Sequence, residues 1–332
     1  MVSENTWRTI AGFVGAALVL GILFWVVGID RILSEVRAAN PLFVGGSLLA
    51  VLCWLLAWSL VLRTVLSSLG VSLSIPRSFV VFAGAMFANN ITPFGQAGGE
   101  PITALLLSRT TDTEYERGLA AIASVDTINF VPSILFATIG LGYYATIVSL
   151  GSDLKAAATV VGTLAIGMPV IGLLVWRYRG SIRNHIIIRL SPIRGVLNAV
   201  PRISITQQAL EHRIKGFFEA INRVGTSPQL LGIAIGFSAV GWFCHTIALW
   251  SALLALGKSV PLVTLLFIVP IGAIAGLTPL PGGLGGVESV LVGLLVSTGV
   301  EATTAASAVI IYRGFIYWIP TTLGGGVVTI LR

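Results

Sequence analysis

Charge is scarce in this sequence. Asp, Glu, Lys and Arg make up 10% of its 332 residues, hydrophobic residues make up 55%, and the mean hydropathy is +0.95. An ordinary soluble domain carries about 25% charge, so a water-soluble enzyme or binding module is excluded and a polytopic membrane protein is implied. Cysteine is limited to Cys53 and Cys244, both inside apolar runs, which excludes a disulfide framework. Histidine is limited to His185, His212 and His245, without metal-ligand spacing. No Ser/His/Asp or Cys/His arrangement stands out either, and no ATP-binding motif. The expectation is therefore no metal, no cofactor and no catalytic centre, with any uphill work drawn from an ion gradient or the membrane potential. The net charge of +7 comes without aromatic–basic interleaving, so nucleic acid is not an expected partner.

What the sequence has is apolar runs of membrane length. At about 1.5 Å per residue some 20 residues cross the hydrocarbon core. Full spans are predicted over 9–28, 41–62, 118–150, 156–176, 229–257 and 302–331. The first lacks a small-residue cleavage pattern and reads as a retained anchor. Residues 29–40, with Asp30, Arg31, Glu35 and Arg37, read as a short polar loop. The run 78–108, whose one charge is Glu100, is short for two crossings and long for one, so a re-entrant hairpin fits it. The run 259–298 is long enough for either solution; its central break assigns it as a second hairpin.

Nine of the twenty Lys and Arg fall between Arg177 and Arg223. This basic segment, 177–227, is the one long polar stretch; it reads as a topology determinant and a contact for anionic lipid headgroups. Within it, 205–224 has the pattern of a helix lying on the membrane surface. Placing the segment in the cytoplasm puts fifteen basic residues inside and four outside, which predicts a multi-pass protein of the cell membrane with both termini cytoplasmic.

Two stretches break the helical pattern. Thr278-Pro279-Leu280-Pro281-Gly282-Gly283-Leu284-Gly285-Gly286-Val287-Glu288 holds two prolines and four glycines, which cannot continue a helix. Thr92-Pro93-Phe94-Gly95-Gln96-Ala97-Gly98-Gly99-Glu100-Pro101 is its earlier counterpart. Unwound backbone survives at membrane depth only where protein buries it or it lines a cavity. Thr92-Pro93 aligns with Thr278-Pro279, Glu100 with Glu288, Trp58-Ser59 with Trp250-Ser251, and Pro132 with Pro320. The order holds over more than seventy residues. The chain thus reads as two repeats, 1–150 and 151–332. Each holds three full spans, an odd number, so the copies sit in inverted topology. The fold class is all-α: about six full spans plus two re-entrant hairpins whose tips meet near the midplane.

The hairpin tips supply the candidate substrate site. Pro93, Pro279 and Pro281 break the helices. Gly98, Gly99, Gly282, Gly283, Gly285 and Gly286 allow close backbone approach, and Thr92, Thr278, Asn89 and Asn90 offer polar side chains. A returning half-helix points its free N–H groups at the cavity, which suits a phosphate. Glu100 and Glu288 stand at those N-termini as caps or proton carriers. Arg313, beside Tyr312, is a lone cation in an apolar span. Such a residue costs roughly 2.5–3.5 kcal/mol to insert, so function is its default reading. The plainer alternative is a structural ion pair with Asp126, one position from its repeat equivalent. The asparagines have a plain alternative too, satisfying the broken helix, and so does His245, as an interhelical hydrogen bonder.

The segments NNITPFGQAGGEP (89–101), LTPLPGGLGGVES (277–289) and YRGFIYWIPTTLGG (312–325) resemble the flippase-like family that includes the membrane part of lysylphosphatidylglycerol synthase. The resemblance covers nearly the whole chain. The full synthase adds a soluble aminoacyl-transferase domain, and no stretch of these 332 residues could hold one. The resemblance therefore implies lipid translocation, or a stand-alone relative of unassigned substrate, rather than lysyl transfer. The expected partners are membrane lipids, with self-association open. Two other readings stand beside it: an intramembrane lipid-modifying enzyme, and a protein that presents a lipid to an enzyme of a cell-envelope or glycan pathway.

Overall fold

A computed structural model describes residues 2–93, 95–111, 113–147 and 218–330, with positions 159, 162, 163, 167 and 216 between them. The regular secondary structure of the described residues is all helical, without strands. In chain order the helices are α1 (Val2–Val27), α2 (Ile29–Ala38), α3 (Pro41–Ser68), α4 (Ile75–Ile91), α5 (Gln96–Thr111), α6 (Tyr115–Ile147), α7 (Pro228–Ala255), α8 (Leu262–Ile274), α9 (Gly286–Ser297) and α10 (Ala302–Ile330). Two single 3-10 turns, Ala275–Leu277 and Pro281–Gly283, lie between α8 and α9.

Among the described residues four helices, α3, α6, α7 and α10, are long and apolar enough to cross a bilayer, and a fifth crossing follows if the bent pair α1–α2 is one span. The protein is a multi-pass membrane protein. Most of the expected span 156–176 and of the basic segment 177–227 lies outside the described residues; of the expected surface helix 205–224, residues 216 and 218–224 are described and are helical.

The polar loop expected at 29–40 is instead helix α2, turned 83° from α1. Gly28, at φ 94°, makes the turn. The helix then forms because Ile29, Ile32, Leu33 and Val36 recur at three- and four-residue spacing. Ile32 is buried, and Thr304 Oγ1 on α10 donates to Glu35 Oε1 at 3.2 Å. The charges of this stretch hid an amphipathic period.

The arms α4, α5, α8 and α9 run for 17, 16, 13 and 12 residues. At about 1.5 Å per residue none reaches the ~30 Å of a hydrocarbon core. Around them α3 pairs with α7, α4 with α10, and α6 with α8.

Lipid tails are as apolar as leucine, so these pairings rest on close backbone approach. On α3, Trp58 fits beside Gly241 of α7, where an added Cβ would lie 2.1 Å from its Nε1. Gly140 of α6 rests on α8 backbone at Val263 and Phe267, and Gly324 of α10 rests on Ala83 of α4. Leu18, Trp25, Leu42 and Leu49 point outward as a lipid-facing surface. A Cβ on Gly324 would sit 2.1 Å from the Ala83 carbonyl oxygen, which cannot step aside as a side chain can. Gly324→Ala should lower the thermal midpoint in detergent, with an overpacking cost of about 1–3 kcal/mol. Gly326→Ala, two residues on with nothing within 4 Å, is the control. Equal midpoints for the two variants would rule out the close approach of α4 and α10.

Candidate functional site

The two broken tips touch. A Cβ on Gly95 would lie 2.8 Å from the Gly276 carbonyl oxygen, and one on Gly282 would lie 3.1 Å from Asn90 Cα. Between the tips and the long helices is a cavity of about 210 Å³, lined among others by Trp54, Asn89, Asn90, Asp126, Asn129, His245, Gly282, Tyr312 and Arg313. Leu277 also lines it and is 52% exposed, so the cavity reaches the molecular surface there.

Arg313 stands well inside α10, about 17 Å from its N-terminal end at ~1.5 Å per residue. The expected pairing with Asp126 is not what forms. Arg313 Nε donates to Glu288 Oε1 at 2.7 Å and Nη2 donates to the Gly282 carbonyl at 3.1 Å. Its guanidinium carbon lies 5.5 Å from the Tyr317 ring centroid, a cation–π contact. The physical reason is the shape of the second tip. Gly282, Gly283 and Gly285 take φ of 56°, 66° and 84°, open to glycine and costly for other residues. Those turns bring the first turn of α9 over Arg313. Glu288 then does two jobs: Oε2 accepts the Gly285 N–H at 2.7 Å, capping α9, while Oε1 holds the arginine. The α9 N-terminus is therefore filled by the protein's own carboxylate. A guanidinium has five N–H donors. Two are used here, and among the described residues no partner meets Nη1.

Asp126 lies on α6 and lines the same cavity, and its carboxyl stands next to that of Glu100 on the adjoining helix α5. Among the described residues neither acid forms an ion pair with a Lys or Arg.

Of the other tip residues, Asn90 joins the first hairpin to α10. Its Nδ2 donates to Tyr317 O at 3.1 Å and Thr321 Oγ1 at 2.8 Å, and its carbonyl accepts from Tyr317 Oη at 3.0 Å. Thr92 Oγ1 donates back to Ala88 O at 2.7 Å and Gly95 O at 3.3 Å, holding its own turn. Pro93 and Gly98 are in backbone contact across that turn, and Gly99 abuts Asn89. Pro279 and Pro281 carry the second tip toward α1, where Pro281 rests on Gly12. Gly283 rests on Gly276, and Gly286 lies against the Thr278 hydroxyl, which has no hydrogen-bond partner. Tyr312 Oη shares a 2.8 Å hydrogen bond with His245 Nδ1, a contact between α10 and α7.

Sequence reasoning did not flag the aromatic wall of the cavity. Trp54, Trp58 and Trp242 meet edge to face or tilted at centroid distances of 5.5 Å, with His245 4.5 Å from Trp54. Nor did it flag Asn129. Pro132 removes the N–H that would bond Ile128 O, and the ladder loosens there. Trp242 Nε1 donates to the adjacent Asn129 carbonyl at 2.8 Å. Asn129 Oδ1, Asn89 Oδ1, Trp54 Nε1 and His245 Nε2 are buried without partners. The usable signal was Pro132 itself, since a membrane helix re-satisfies the groups a proline frees with donors from its neighbours.

The site is thus a cavity among the helices whose lining holds a cation fixed by Glu288, an acid paired with Glu100, and unpaired polar atoms. Three curated archaeal proteins are similar to the chain. A UPF0104 membrane protein of Methanothermobacter thermautotrophicus is 27% identical, covering 97% of this chain and 93% of its own length. One of Pyrococcus horikoshii is 25% identical over 94% and 93%, and one of Methanocaldococcus jannaschii is 24% identical over 98% and 95%. Residues 10–324 match the profile described as the lysylphosphatidylglycerol synthase TM region. With nearly its whole length inside that match, the chain belongs to the lysylphosphatidylglycerol synthase transmembrane-region family.

Proposed function

We propose that this protein moves a phosphate-bearing lipid, of phospholipid or polyprenyl type, between leaflets of the cell membrane by alternating access. The observation that carries the reading is Arg313. It is a cation held at membrane depth by Glu288 and Gly282, with Nη1 free toward a cavity that reaches the molecular surface. A phosphate oxygen would take that free edge. Asn89, Trp54 and His245 would meet the rest of the headgroup, and the tails would stay in the bilayer.

The helix pairing supports an inverted repeat of 1–150 and 151–332. Hairpin arm α4 packs on α10, hairpin arm α8 packs on α6, and α3 packs on α7 across the axis between them. The carbonyl three residues before each matching proline also receives a side-chain donor from another helix: Trp242 to Asn129 O, and Asn90 to Tyr317 O. With the expected span 156–176 added, six full crossings and cytoplasmic termini would follow. In inverted halves, exchanging the two conformations turns an inward opening into an outward one. The basic segment 177–223 would rest on anionic headgroups at the cytoplasmic surface.

The test is reconstitution into liposomes with a fluorescent phospholipid, followed by quenching from outside. Quenching of inner-leaflet label faster than in empty liposomes is expected. Conversion of the lipid to a new product would replace this reading with a lipid-modifying enzyme, and binding without movement would replace it with lipid presentation. A cysteine at position 200, on a background without Cys53 and Cys244, should be labelled from the cytoplasmic side only in cells. Labelling from outside alone would sink the topology.

A further inference from the structure

We propose that Glu100 and Asp126 form a proton-binding site, one proton being shared between the two carboxyls, and that its occupancy is coupled to headgroup binding in the cavity. The coupling half of this statement rests on the transport reading above; the proton site does not.

The two hairpin acids stand in matching places and have opposite partners. Glu288, in the first turn of α9, meets Arg313 on the following long helix. Glu100, in the first turns of α5, meets Asp126 on the following long helix. The first pair is neutral as an ion pair. The second consists of two groups that, when ionised, have acceptor oxygens only. Two carboxyls side by side with no cation between them resist being ionised together, and one proton held between them removes the repulsion and supplies a donor. Among the described residues no third metal-ligating side chain joins the two acids, so a proton is the ligand the pair suits.

No neighbouring charge substitutes for the proton among the described residues. On α3 the one basic side chain, Arg63, donates to Leu73 O. On α4 it is Arg77, in the first turn and far from the tip. Helix α8 and its following turn carry no ionisable residue. Helix α7 offers His245, bonded to Tyr312, and α10 offers Arg313, already held by Glu288. On α5 and α6 themselves, Arg109 and Arg117 sit at the ends remote from the pair.

Independently, the cavity presents unpaired acceptors beside the pair. Asn129 is 4% exposed, lies one turn from Asp126 on α6, lines the same cavity, and its Oδ1 has no partner. Asn89 Oδ1 is buried and unpaired against Gly99, the neighbour of Glu100. Buried acceptors without donors are uncommon and ask for an explanation. A proton arriving on water would meet both oxygens on its way from the cavity to the carboxyls. Losing the proton takes the pair from one negative charge to two, beside the cavity in which an anionic phosphate would sit. Proton release and phosphate release therefore favour one another.

The test uses the full chain in liposomes, treated with dicyclohexylcarbodiimide across a pH series. This reagent modifies protonated carboxyls in apolar surroundings and is read by peptide mass spectrometry. Label is expected on Glu100 or Asp126, declining as pH rises, with Glu288 unlabelled. In Glu100→Gln and Asp126→Asn the amide donates to the remaining carboxylate, so the contact survives without a proton and the label should fall at least tenfold. Infrared difference spectra between wild type and Asp126→Asn provide a second readout that needs no reagent access; a protonated-carboxyl band should be present in wild type alone. Absence of both label and band overturns the proton site, and so does label blocked by sodium at constant pH, which would make it a cation site. With lipid included, transport should depend on pH in wild type and lose that dependence in both variants; a retained dependence removes the coupling. If wild type carries the label but moves no lipid, the proton site stands and the transport reading fails.

Discussion

Arg313→Ala is expected to abolish lipid movement and to destabilise the protein at once. The alanine leaves Glu288, whose side chain is 5% exposed, as a buried carboxylate with no cation. Breaking a buried pair from one side costs about 3–5 kcal/mol, which should show as a lower thermal midpoint. The two losses can be separated. In Arg313→Ala/Glu288→Gln the amide oxygen can still accept from the Gly285 N–H and no charge is stranded, so stability should return. Transport should not return, because nothing remains to grip a phosphate. Arg313→Lys keeps the charge but loses the planar fork that serves Glu288, Gly282 and a ligand together, so it should rescue poorly. Wild-type transport in the double variant would show that Arg313 serves the fold alone. An unchanged midpoint in the single variant would show that the ion pair contributes nothing.

That design could not have been written from the sequence, which offered Asp126 as the partner. Apolar length and the Pro-Gly breaks were enough to locate helices and tips, because a bilayer imposes length directly and glycine and proline act on the backbone locally. Partner choice was different. Whether Arg313 faces Glu288 or Asp126 depends on three left-handed glycines folding the second tip back over α10, and no linear spacing encodes that. The aromatic wall was hidden for another reason. Helices α3 and α7 are apolar on every side, so no amphipathic face singled out Trp54 or Trp242 as interior. Helix α2 failed in the opposite sense: Asp30, Arg31, Glu35 and Arg37 drew attention from an apolar period running beneath them.

Gly282→Val is the second substitution expected to stop transport, and it does so through backbone alone. Gly282 sits at φ 56°, where an L residue pays roughly 1–2 kcal/mol and a β-branched one more. Its Cβ would also lie 2.5 Å from the Tyr317 ring and 3.1 Å from Asn90 Cα. Relief means moving the tip, and moving the tip carries away the carbonyl that Arg313 Nη2 donates to at 3.1 Å. A loss of that one interaction in the transport barrier, about 1.4 kcal/mol or more, slows movement at least tenfold. Two comparisons isolate the cause. Asparagine tolerates the left-handed region, so Gly282→Asn removes most of the conformational cost and keeps the crowding against Tyr317; it should fall between wild type and valine. Gly293, in the middle of α9, has nothing within 4 Å of a built Cβ. Gly293→Ala should leave transport unchanged and gain up to about 0.5–1 kcal/mol of helix stability. Transport rates and thermal midpoints for the three variants decide the matter. If Gly282→Val matches wild type in both, the tip does not hold Arg313 in place, and the headgroup site must lie elsewhere in the cavity.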